Sequence, residues 1–225
     1  MRLRALRVVG LAVPAFMVAA APIAAQRATL SAGYAIGEYS EQSAAFAFNG
    51  SGPTASGALG IGRLSLVGDL ARLQFSPTGR DAGALQSFTM TDVDVALRYR
   101  VHPLVSLEAG VRRRYIAPTG AAEELGAVHA GARIEVPLAP GATAAAQLGY
   151  VGAGEFSGGG SAPFGAAIGL GFAYSPGLRH LSIVGDYRFE RIDRRTTGHA
   201  APLAGTTVDV PLGTSVGRLG LAVRL

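Results

Sequence analysis

Residues 163–177, PFGAAIGLGFAYSPG, carry no charge and alternate large side chains with small ones. Phe164, Ala166, Ile168, Leu170, Phe172 and Tyr174 take one parity; Gly165, Ala167, Gly169, Gly171, Ala173 and Ser175 take the other. Side chains alternate across a strand, so this stretch reads as a β-strand with one greasy face and one nearly bare face.

The same period recurs along the chain, in 87–101, 104–116, 125–136, 142–152 and 180–191 and in the closing GRLGLAVRL. In 87–101, Val93, Val95, Leu97, Tyr99 and Val101 oppose Asp92, Asp94, Ala96, Arg98 and Arg100. In 104–116, Val105, Leu107, Ala109, Val111 and Tyr115 oppose Ser106, Glu108, Gly110, Arg112 and Arg114. Near the N-terminus, Leu30, Ala32, Tyr34 and Ile36 mark one strand. Leu64 and Leu66 then keep one phase, while Ala71, Leu73 and Phe75 keep the other. A flip at VGD (67–69) requires a tight turn, which gives ten strands, or a bulge, which gives eight; ten is the favoured count. VHPL, PLAPG and SPGLR are short and rich in Pro or Gly, as hairpin turns are. The intervening stretches 38–56, 77–86, 117–124, 153–163 and 193–206 read as longer loops. Short turns at one end and long loops at the other characterise transmembrane barrels.

Alternation alone does not say which face meets solvent. Three features turn the apolar face outward, toward lipid. The opposite face mixes Gly, Ala and Ser with both charge signs, which suits a crowded lumen. Tyr99 and Tyr174 precede short turns, while Tyr115, Tyr150, Tyr187 and Phe189 lie toward the loops, as two interfacial girdles would. The strands run about 10 residues, enough for a tilted strand to cross a bilayer. The expected fold is therefore all-β: an antiparallel up-and-down transmembrane β-barrel over 26–225.

Residues 1–25 read as a secretory signal, with Arg2, Arg4 and Arg7 before an apolar core, and cleavage after Ala25. Its removal leaves 17 basic groups, all Arg, against 15 acidic. That balance, with no basic stripe interleaved with aromatics, points away from a nucleic-acid partner. The absence of Cys excludes disulfides and thiolate metal sites.

An export signal, eight to ten alternating segments and a final alternating strand resemble the small outer-membrane β-barrel proteins of Gram-negative bacteria, the OmpA- and OmpX-like group. The resemblance is one of pattern and covers nearly the whole chain after residue 25. It implies residence in the bacterial outer membrane and a barrel assembly machinery as partner during biogenesis. Members of the group usually end in an aromatic residue; Leu225 departs from that.

No residues stand out as catalytic, cofactor-binding or metal-binding, so no cofactor is expected. His102 and His180 fall at turns, His199 in the last long loop, and His129 on the inward face beside Arg133 and Glu135. HLS (180–182) resembles the His-x-Ser of a lipid A deacylase, but at the wrong end for outer-leaflet chemistry. Asp193, His199 and Asp209 are the candidates for a protease-like rim. The glycines do not form a phosphate loop. A barrel of this size can be filled by its own side chains. The expected protein is non-enzymatic, with a plugged lumen and a structural or loop-mediated role. A narrow porin-like channel is the alternative; a lipid-modifying enzyme or protease comes third.

Two local expectations follow. Arg112 and Arg114 face inward, so Arg113 must face the membrane and sit at its outer rim beside Tyr115, within reach of lipopolysaccharide phosphates. Around VHPL, the register pairing Arg98 with Glu108, Asp94 with Arg112 and Asp92 with Arg114 gives three opposite-charge pairs. It also sets Val101 against Val105 across a three-residue loop, His102-Pro103-Leu104.

Overall fold

The computed structural model describes residues 26–41, 46–78, 85–118, 123–178, 180–197 and 205–225. Residues 1–25, read from the sequence as a secretory signal, and His199 lie outside these residues. Ten antiparallel strands form a closed barrel. They are β1 (Gln26–Glu41), β2 (Phe46–Ile61), β3 (Leu64–Thr78), β4 (Phe88–His102) and β5 (Val105–Ala117). After these come β6 (Leu125–Ala139), β7 (Ala142–Phe156), β8 (Ser161–Tyr174), β9 (Leu181–Thr197) and β10 (Thr207–Arg224). Each strand pairs with its sequence neighbours, and β10 closes onto β1 through Tyr34 opposite Leu219. Closure pairs the backbone groups without an open edge, as a lipid environment demands.

The ten-strand count stands and the eight-strand alternative falls, but the turn at 67–69 does not exist. β3 runs unbroken through Val67, Gly68 and Asp69, and its register with β2 and β4 is constant on both sides, so no bulge lies there either. The tenth strand comes instead from 38–56, which is not a loop. It holds the end of β1 and much of β2, and the real turn is Gly62-Arg63, where Gly62 adopts φ +61°. The segments 153–163 and 193–206 are likewise partly strand.

The flip in β3 has another cause: the barrel changes its lining along its length. Toward the turns, Leu64, Leu66 and Leu70 face out while Asp69 faces in. Toward the loops, Arg72 and Gln74 face out while Leu73 and Phe75 are fully buried. Neighbouring strands agree. Tyr39, Phe48, Phe88, Met90, Ile116, Leu125, Phe156, Ile192 and Leu212 meet Leu73 and Phe75 in one buried cluster inside the loop end. Phe75 stacks on Phe88 at 5.2 Å between ring centroids, and Tyr39 meets Phe88 edge-on at 5.6 Å. On β7, Ala153 sits at φ +47° where the β6 register shifts. One extra residue there turns Phe156 inward.

The barrel thus has two storeys. In the turn-end storey large apolar side chains face outward, among them Leu97, Tyr99, Leu107, Leu148, Ile168, Leu170, Phe172, Tyr174, Leu219 and Leu221. In the loop-end storey apolar side chains face inward, as in a water-soluble barrel. Strand length agrees: the strands have 13 to 18 residues, whereas a tilted crossing needs only about 9–11. The molecule has the build of an outer-membrane β-barrel whose rim stands above the lipid.

The hairpin around VHPL has the expected register over most of its length. Arg98 faces Glu108, Asp94 faces Arg112, Asp92 faces Arg114, Tyr99 faces Leu107 and Val95 faces Val111. The closing turn differs. His102, not Val101, pairs with Val105; Val101 is the extra residue of a bulge, and Pro103-Leu104 form a two-residue turn. The bulge supplies the adjustment that a three-residue loop without Gly could not make.

Candidate functional site

Among the described residues, ionisable side chains gather in quantity in the lumen. Period-two alternation sends Asp92 and Asp94 of β4, Arg112 and Arg114 of β5, His129 of β6, and Arg188 and Glu190 of β9 to the inside. Arg112 bridges Asp92 and Glu190. Arg114 reaches the same two carboxylates, at 3.2 Å and 3.1 Å. Arg188 lies 3.1 Å from Glu190 and 3.9 Å from Asp94, whose other oxygen is 2.9 Å from His129 Nε2. Three guanidinium groups thus face three carboxylates, with His129 beside them. Glu190 is only 2% exposed and Arg114 3%. Such a cluster is stable only when it is complete, because charges removed from water require partners.

The ties run across the lumen rather than only along neighbouring strands. β5 and β9 are separated by the three strands β6–β8 one way round and by five the other, yet Arg112 and Arg114 join them. A second crossing nearer the turns uses Arg218 of β10, bonded to Asp186 at 2.8 Å and to Asp69 on β3 at 2.9 Å. This contact relieves a like-charge opposition, since Asp69 and Asp94 are direct cross-strand partners. Arg98 donates to Glu108 at 3.0 Å, and Gln147 donates to the carboxylate's other oxygen. The sequence marked the β4–β5 pairs but missed the partners on β9 and β10. Alternation in DYRFER shows that Arg188 and Glu190 point inward, but not which strand they face.

Above this layer the aromatic cluster fills the loop end. The Tyr39 hydroxyl is buried among rings with no hydrogen-bond partner among the described residues. Near the rim, Arg194 pairs with Glu123 and lies over the Phe156 ring at 5.2 Å. Burial raises the Glu123 carboxyl above the usual carboxylate range, against the opposing pull of Arg194.

The individual candidates are scattered. His102 Nδ1 accepts the Leu104 amide in its turn, and His180 contacts the Arg224 carbonyl at 3.0 Å at the turn end. Asp193 pairs with Arg191 and Asp209 with Arg195, both on the exposed outer face. No group of three or more His, Asp or Glu suited to a metal ion occurs among the described residues. Arg113 points outward beside Tyr115, its guanidinium 5.6 Å from the ring centroid. It occupies the row Leu70–Val93–Arg113–Gly126; the next row toward the loops is Arg72–Thr91–Tyr115. Arg113 therefore lies where the outer face passes from apolar to polar.

No protein-family model matches the chain, and no curated protein matches it. Among solved structures it is similar to Ail, the attachment invasion locus protein of Yersinia pestis, with 16% identity and a TM-score of 0.38 over 88% of this chain and 98% of that one. Neisserial surface protein A aligns at 14% identity and TM-score 0.39, over 87% and 96% of the two chains. The outer membrane protease OmpT of Escherichia coli aligns at 9% identity and TM-score 0.46, over 89% and 96%. Nothing about activity or partner follows from these likenesses.

Proposed function

We propose that this outer-membrane β-barrel is a closed, non-enzymatic scaffold that presents its loop-end rim for structural or adhesive contacts. One observation supports the reading: the Asp92–Arg112–Arg114–Glu190 cluster lies inside the barrel with a buried apolar core above it, two layers that would each block the lumen. An ion crossing the barrel would have to part three paired arginines and then a dry aromatic layer. Parting a buried ion pair leaves uncompensated charge away from water, which is strongly unfavourable. The test is planar-bilayer conductance of the purified, heat-modifiable protein. Absence of steady unitary currents is the expected result, and reproducible channels above the detergent control would refute the plug.

The arginine-lined turn-end mouth favours the second reading, a narrow solute channel, and the same recording separates the two. Arg113 is proposed to meet outer-leaflet lipid phosphate, since it lies at the polar boundary with no carboxylate partner among the described residues. Replacing it with Gln should weaken retention of anionic lipid during purification, measured by quantitative phosphate assay; unchanged retention would remove that role. Residues 1–25 are proposed to be removed on export, which N-terminal sequencing of the membrane-inserted protein would check.

A further inference from the structure

In the turn-end storey the positive charge is not balanced. The inward parity there carries Arg27 on β1, Arg98 and Arg100 on β4, Arg133 on β6 and Arg224 on β10. Arg27 shares parity with the buried Ala35 and Tyr39, Arg100 with Ala96, and Arg224 with Ala222. Among the described residues four inward carboxylates lie in this half, and all are already engaged: Glu108 with Arg98, Glu135 with Arg133 at 2.8 Å, and Asp69 and Asp186 with Arg218. Arg27, Arg100 and Arg224 have no carboxylate within ion-pair distance among the described residues, and all three are exposed to water. Deeper in the lumen Arg112, Arg114, Arg188 and Arg218 each have at least one.

The register places these groups around one opening. Arg100 and Arg133 flank Ser106 in a single row across β4, β5 and β6. Arg224 lies opposite Thr29 on β1, one inward step from Arg27, and Arg27 lies opposite Gly60 on β2. Between the two arginine walls the inward positions are small or hydroxylic: Ser31 bonded to Ser56, Ala58, Gly60 and Ser65. On the far side Ala145, Gly169, Gly171 and Ser182 continue that lining. Side chains this short leave volume in front of the guanidinium groups, and the charge cluster closes the space above.

We infer that the turn-end half of the lumen is a blind anion-binding vestibule, in which Arg27, Arg100 and Arg224 take a small oxyanion carrying at least two negative charges. Like-charged groups in a cleft with low-dielectric walls focus their field and concentrate counter-ions. Guanidinium forks match phosphate and carboxylate oxygens in paired hydrogen bonds, so a multivalent oxyanion suits the site better than chloride. The uncompensated charge is the reason for a ligand: binding relieves a mutual repulsion that the rest of the lumen avoids by internal pairing.

The test is calorimetric titration of the detergent-folded protein with inorganic phosphate, tripolyphosphate and citrate, with chloride as control; the first two and the third distinguish phosphate from carboxylate recognition. The expected result is saturable one-to-one binding of at least one oxyanion. It should weaken at least tenfold in an Arg100→Gln/Arg224→Gln variant and stay unchanged in Arg72→Gln, which alters only the outer face. No saturable binding, equal affinity in the double variant, or equal loss in Arg72→Gln would each overturn the inference. Should the double variant fail the heat-modifiability control, phenylglyoxal labelling of the unaltered protein decides. The anion must protect Arg27, Arg100 and Arg224 while Arg72 reacts as before; undiminished labelling of the three refutes the site. Binding here can fail while the barrel remains non-conducting, so this result is separable from the plug.

Discussion

Replacing Glu190 by Gln removes one charge from the centre of the lumen while keeping shape and volume. With Glu190 present, Arg112, Arg114 and Arg188 face Asp92, Asp94 and Glu190, three against three. Without its charge the cluster holds a net positive charge at a site only 2% exposed, where solvent screening offers little relief. Breaking a buried pair by deleting one partner costs about 3–5 kcal/mol. Gln still accepts one hydrogen bond, which places the expected loss near the lower end, about 3 kcal/mol. The assay is urea unfolding of the detergent-folded barrel, read as the fraction migrating in the compact form on unheated gels. Adding Arg188→Gln restores neutrality and should recover about 1 kcal/mol or more, because neighbours in one network couple by about 0.5–3 kcal/mol. Arg188 suits this purpose because its side chain is 31% exposed and leaves little unsatisfied when removed. A loss below about 1 kcal/mol for Glu190→Gln, or no recovery in the double variant, would show that the cluster does not hold the lumen together.

Glu108→Ala should destabilise by about 1–3 kcal/mol, reduced from the fully buried figure because Arg98 is partly exposed; Arg98→Ala in the same chain should return part of the loss, as urea midpoints would record. Tyr39→Phe removes a buried hydroxyl that has no partner among the described residues, so stability should stay level or rise by about 1 kcal/mol in the same titration. Leu97→Arg places a cation in the outward apolar band and should cost about 2–4 kcal/mol, whereas Gln74→Arg, in the loop-end storey, should cost about 0–1. Equal costs at the two positions would mean that the boundary between storeys is misplaced.

The strands that cross the lipid were legible because their alternation is uninterrupted. Tyr99, Leu107, Val111, Ile168 and Leu221 each announced a face, and opposite charges fixed the β4–β5 register without any structure. The rim was not legible, for a physical reason. Sequence periodicity reports which residues share a face, but not what that face meets. At Val67–Asp69 the environment exchanges sides while the backbone continues, so Leu73 and Phe75 look like a broken strand when only the solvent has changed. Residues 38–56 were hidden for a related reason, since Gly50, Gly52, Pro53 and Gly57 resemble loop composition. Gly52 in fact packs so closely that a Cβ would come within 1.9 Å of the Arg72 carbonyl oxygen. The charge cluster was half visible: cross-strand partners follow from register, whereas Arg112 with Glu190 depends on how the cylinder closes.

The inverted rim has a mechanical consequence. The chain between β1 and β2 leaves beyond Tyr39 and returns before Phe48, and that between β3 and β4 leaves beyond Phe75 and returns before Phe88. These four rings are packed together, so both connections spring from one frozen base, raised above the headgroups by about 10–15 Å of tilted strand. Such a pedestal decouples whatever it carries from the bilayer. Lengthening a connection whose ends are already pinned costs only about 0.6 kcal/mol per doubling. The sequence displayed at the rim is therefore free to diverge, or to be exchanged for a foreign epitope, without altering how the barrel is held in the membrane.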